Sequence, residues 1–99
     1  MVVGLLEMEF HLSQSSSLKD KRQVIKSLLA QLQRKFQVAA AEVDYQDLWQ
    51  RTLIGVAYVA SDTAHTLRVL ESARRYGEDN GQAELLNSSI HLFRPGEHG

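Results

Sequence analysis

VAAAEVDYQDLWQRTLIGVAYVA, residues 38–60, decides the fold. Residues 38–45 and 52–60 are both rich in Val, Ala, Ile and Tyr, residue types that fit a pleated, half-buried surface, so each reads as a strand. Only the polar connection YQDLWQR, residues 45–51, separates them, so two strands follow one another without a helix between. The second run, TLIGVAYVA, is apolar on both parities, as a central strand is.

Working outward, the N-terminal residues alternate with period two. Val2, Gly4, Leu6, Met8, Phe10 and Leu12 share one face, and Val3, Leu5, Glu7, Glu9 and His11 the other. That pattern predicts a strand with one buried face. Ser15, Ser16 and Ser17 stop it, and Ser17 with Asp20 three residues on makes a start resembling a capping box. In the helix that follows, Leu18, Ile25, Leu28, Leu29, Leu32 and Phe36 form an apolar stripe about 100° wide. Lys21 falls inside that stripe and is expected to snorkel from the first turn.

Beyond residue 60, Ser61 or Asp62 caps a second helix whose apolar side is Leu67, Val69, Leu70, Ala73 and Tyr76. Arg68, Glu71, Ser72 and Arg75 face water, with Glu71 and Arg75 as an i, i+4 pair, and Gly77 and Gly81 end the helix. A last strand covers 83–93, with Leu86, Ile90 and Leu92 on one face, and residues 94–99 read as a flexible tail outside a domain of residues 1–93. The order β-α-β-β-α-β predicts a ferredoxin-like α+β sandwich. Its four-stranded antiparallel sheet has order 4-1-3-2, both helices cover one face, and the other face is open.

A chain of 99 residues holds one domain, and 43% apolar with 23% charged residues suits a soluble globular protein. The absence of cysteine rules out disulfides, thiolate metal sites and cysteine nucleophiles, and fits a reducing cytoplasm. No apolar run approaches the roughly 18 residues of a membrane span. The start lacks a basic n-region and carries Glu7 and Glu9, unlike a signal peptide, so a cytoplasmic location is expected.

No catalytic constellation emerges. The serine run lacks a G-x-S-x-G context, and Gly4 and Gly55 belong to no phosphate-binding loop, so they are read as sites of close packing or a bulge. His11, His65, His91 and His98 lack zinc-ligand spacing. Antiparallel pairing of the first and last strands separates His11, near residue 85, from His91, near residues 3–5. Glu42 and Asp44, read as facing outward, fall about 9–10 Å from Glu7 and Glu9, too far to share an ion. Neither a metal nor a cofactor is expected.

Binding surfaces are the stronger candidates. The net charge of −1 conceals an asymmetry, because residues 18–36 hold six of the eleven Lys and Arg against one acid. Lys19, Arg22 and Lys26 lie within about 60° on the helical wheel, with Gln33 continuing the strip. Such a strip either follows a phosphate backbone or is an ordinary solvated face. Base stacking on the open sheet has little support, since LIGVAYV offers only Tyr58 and the first strand presents Glu7 and Glu9. Trp49, the single tryptophan, caps one end of the core or anchors a second copy or another partner. Val3 and Leu5, read beside Tyr58 on the uncovered sheet, favour a homo-oligomer.

MVVGLLEMEFHL, SLKDKRQVIKSLLAQLQRKFQV, AEVDYQDLWQRTLIGVA and AELLNSSIHLF together resemble the bacterial YlxP-like family of small uncharacterised proteins. The SLKDKR helix start and the E-V-x-x-Q-D-L-W-Q-R hairpin are its distinctive parts, and the likeness runs to about residue 93. The resemblance implies a ferredoxin-like fold and no established activity or catalytic residue. It also implies a genomic setting beside translation initiation factors and ribosome-binding factor A. In that setting ribosomal RNA or the small ribosomal subunit becomes the expected partner, with no DNA specificity; the alternative is a homo-oligomeric structural or ligand-sensing module that uses the open sheet face. Contact is expected through Lys19, Arg22 and Lys26, joined by Arg34, Lys35 and Arg51.

Overall fold

The computed structural model describes residues 1–96. The elements are β1 (Val2–His11), α1 (Leu18–Phe36), β2 (Ala39–Asp44), β3 (Arg51–Ala60), α2 (Thr63–Glu78) and β4 (Glu84–Phe93). All strand pairs are antiparallel, in the order β2-β3-β1-β4. This is the ferredoxin-like arrangement, with both helices packed on one face of the sheet. His98 and the rest of residues 97–99, part of the expected tail, lie outside the described residues.

Period two in β1 gives the core directly. Val2, Leu6, Met8, Phe10 and Leu12 are buried, and all but Val2 join one cluster with Ile25, Leu28 and Leu32 of α1 and Leu70 and Ala73 of α2. Gly4 and Gly77 bring α2 close to β1. A Cβ on Gly4 would stand 2.5 Å from Thr66 Cγ2, and one on Gly77 would stand 2.8 Å from Met8 Sδ. Buried Thr66 takes the place expected of Leu67, which is exposed; the Thr66 hydroxyl donates to the Asp62 carbonyl at 2.9 Å, so its polar atom is satisfied inside the interface.

Both helix starts follow the sequence. Ser17 Oγ accepts from the Asp20 N–H at 3.1 Å, and Asp62 caps α2 through the His65 N–H at 2.8 Å. The Asp20 carboxylate reaches back to the N–H and hydroxyl of Ser16 rather than to Ser17, one residue beyond a standard capping box. Gly77 does not end α2; the helix runs on to Glu78, and Gly81, at φ +80°, sits in the turn after it. Glu71 pairs with Arg74, not with Arg75.

Two bulges reset the faces. In β4, Glu9 opposes Asn87 while Phe10 opposes Leu85, so Leu86 is an extra residue and is exposed. It therefore does not share the inner face of Ile90 and Leu92. In β2, Glu42 opposes Ile54 and Asp44 opposes Leu53, which leaves Val43 extra, beside Gly55 on the open face.

Candidate functional site

Along α1, Lys19, Arg22 and Lys26 are exposed and lie in one row, and no ion pair joins any of them to an acid among the described residues. The row borders β2: Gln33, further along the same strip, donates from Nε2 to the Ala40 carbonyl at 3.1 Å. Between α1, β2 and the β2–β3 connection runs a groove of about 560 Å³, with Leu18, Ile25 and Leu29 on its helix wall and Arg22 and Lys26 at its rim.

Beneath the groove lies Lys21, 1% exposed. Its Nζ stands 2.8 Å from Glu42 Oε2 and donates to the carbonyls of Tyr45 and Leu48, each at 2.6 Å. The snorkelling expectation is thus corrected, since the ammonium is buried with all three donors used. Glu42 is corrected with it. Its parity with Val38 and Ala40 turns it toward the helices, where its carboxylate also accepts from Thr52 Oγ1 at 2.5 Å. These contacts pin the connection, in which Tyr45 adopts a left-handed φ of 61°. Trp49 stands half-exposed at the loop's end and is not among the buried core residues, so it does not cap the core.

The other expected cations are placed apart. Arg34 and Lys35 sit in the last turn of α1, where they oppose the carbonyl end of the helix dipole, and Lys35 Nζ lies 5.3 Å from the Tyr76 ring centroid. Arg51 is on the open sheet face, not beside α1, and its guanidinium is held by the Glu9 carboxylate and stacks at 4.3 Å on the Tyr45 ring. The Glu9 hydrogen bond raises the Arg51 pKa above its usual value, against a smaller opposing effect of desolvation.

On the open face, Val3 opposes Val59 on one side and Phe93 on the other, and Leu5 opposes Ala57. Val59 and Phe93 are 60% and 53% exposed, so an apolar cross-strand row reaches solvent. Tyr58 is not part of it. Opposite Gly4, it faces the helices, and its hydroxyl lies 3.0 Å from His65 Nε2. The far end of this face is polar, with a Glu7–His91 contact of 3.1 Å beside the Glu9–Arg51 pair.

Residues 3–90 match the model of a family described as a protein of unknown function, DUF503. The chain belongs to the DUF503 family. It is also 41% identical over 70 residues to the uncharacterized protein YlxP of Bacillus subtilis (strain 168), covering 71% of this chain and 76% of that one. Among solved structures it is similar to a mutant of SnoaB, a cofactor-independent oxygenase from Streptomyces nogalater. There the TM-score is 0.50 at 12% identity, over 98% of this chain and 95% of the other. Similarity to Rv0793 of Mycobacterium tuberculosis has a TM-score of 0.49 at 11% identity, over 99% and 98% of the two chains. At 12% identity the likeness to SnoaB shows the fold alone.

In this DUF503 chain, then, Lys19, Arg22 and Lys26 are brought together, while Arg34 and Lys35 stand at the helix end and Arg51 on the opposite side of the sheet. No group of three or more His, Asp or Glu side chains among the described residues is arranged to hold a metal ion. No helix among them is long and apolar enough to cross a membrane. The Lys21–Glu42–Thr52 network was missed in the sequence. Its signal was a lysine in an apolar helical stripe together with a glutamate on the inner parity of an edge strand.

Proposed function

We propose that this DUF503 protein is a non-enzymatic, translation-linked factor that binds RNA on the small ribosomal subunit through the exposed row of α1. The observation that carries this reading is the contrast among its cations. Lys21, Arg51 and Arg74 are held by carboxylates, whereas Lys19, Arg22 and Lys26 lie in one exposed row and none of them is ion-paired among the described residues. Unpaired cations in a row attract a phosphate backbone by charge and release its counterions, without reading bases. The genomic setting that the YlxP-like resemblance implies points to the same partner. The test is a titration of a labelled ribosomal RNA fragment across a salt series. Affinity is expected to fall steeply with salt and to disappear in Lys19→Glu/Arg22→Glu/Lys26→Glu; salt-independent binding, or full binding by that variant, overturns the reading.

A second reading rests on the Val59–Val3–Phe93 row. Contiguous exposed apolar side chains on a sheet face favour association with another copy of the chain, giving a homo-oligomer that leaves α1 free for its partner.

A further inference from the structure

The groove under the basic row has a chemistry of its own. Its volume of about 560 Å³ is that of a small-molecule site, and its helix wall is aliphatic, from Leu18, Ile25 and Leu29. Arg22 and Lys26 are one helical turn apart, with a rise of about 6 Å between them, and both stand at the rim midway along that wall. The charges below are already spent, because Lys21 and Glu42 neutralise each other at 2.8 Å. Asp47, also at the rim, has no ion-pair partner among the described residues. Two free cations against one free acid favour a monoanion over a dianion.

We infer that this groove binds a medium-chain monocarboxylate, its carboxylate between Arg22 and Lys26 and its aliphatic tail against Ile25 and Leu29. The planar fork of the Arg22 guanidinium matches a carboxylate with two parallel hydrogen bonds, and the Lys26 ammonium adds a point charge. A lining without aromatic rings favours a flexible chain over a stacked ring. The ligand goes beyond the RNA reading and shares Arg22 and Lys26 with it, so the two partners compete.

The experiment is an amide NMR titration of the isotope-labelled full chain with octanoate, with 1-octanol as the uncharged counterpart. Saturable shifts confined to residues 18–29 and 42–47 are expected. Arg22→Gln/Lys26→Gln is expected to weaken octanoate by about tenfold and to leave 1-octanol unchanged, as loss of a charge-assisted contact does. Leu29→Ser is expected to weaken both ligands and to leave RNA affinity intact. Shifts centred on Leu5, Ala41, Val43 and Ala57 of the open face, shifts that never saturate, or undiminished octanoate affinity in the charge variant overturn the proposal. RNA binding without octanoate binding defeats this proposal alone, and octanoate binding without RNA binding defeats the RNA reading alone.

Discussion

Lys21 and Glu42 form an ion pair of 2.8 Å between the first helix and an edge strand, and the same ammonium ties down two carbonyls of the connection that follows that strand. One buried side chain thereby joins α1, β2 and the approach to Trp49. Removing it strands a carboxylate that is only 19% exposed. Lys21→Met is therefore expected to lose about 3 kcal/mol in urea unfolding, and Lys21→Met/Glu42→Leu to recover most of that loss. A single variant as stable as the parent contradicts the role given to the pair.

Contact between α2 and β1 depends on the missing side chain at Gly4. An added Cβ would fall 2.6 Å from Leu70 Cδ1 as well as on Thr66, inside a packed core. Gly4→Ala is expected to cost about 1–3 kcal/mol by overpacking, measured by thermal or urea unfolding. Gly55→Ala, whose Cβ would meet only the Val43 side chain, nearest at Cγ1 at 3.2 Å on the open face, is expected to cost less. The reverse ranking would count against the packing described.

Much of this architecture was legible in the sequence, and the exceptions have physical causes. Alternation along residues 2–12 places every buried β1 side chain, and Ser17 and Asp62 mark their helices, because these signals are local. Faces were misread beside a bulge, as at Glu42 and Leu86, since the periodicity then slips by one and nothing nearby records it. Tyr58 was misassigned for a related reason. On a strand apolar on both parities, only the register with Gly4 tells which face is covered. The row of Lys19, Arg22 and Lys26 came from helical spacing alone. The exclusion of Arg51 from it required knowing that residue 51 begins a strand opposite His11.

Acid weakens the α1 cap through Asp20. The Ser16 hydroxyl, and after it the Ser16 N–H, hold the Asp20 carboxylate and lower its pKa from an ordinary 3.8. A lowered folded-state pKa means that the cap's contribution is complete above the ordinary value and is lost as pH falls through the lowered one. The parent is expected to lose more stability than Asp20→Asn between about pH 5 and about pH 2, followed by urea midpoints. Equal losses in the two proteins would show that Asp20 carries none of the dependence.

The apolar row on the open sheet gives a prediction about mass. If Val59, Val3 and Phe93 meet a second copy, Val59→Glu places a charge in that contact and is expected to shift the protein to the monomer in light scattering at micromolar concentration. Because Val59 is 60% exposed in the single chain, the substitution leaves the fold itself intact. A parent that is already monomeric contradicts the oligomer reading.

If the unpaired row on α1 meets ribosomal phosphate, the contact depends on salt. Co-sedimentation of the purified protein with small ribosomal subunits, from about 50 mM to about 200 mM salt, tests it most directly. Binding by the parent is expected to weaken steeply across that range and to be absent for Lys19→Glu/Arg22→Glu/Lys26→Glu. A folded parent that fails to sediment with the subunits at the lowest salt, or a triple variant that sediments as well as the parent, contradicts it.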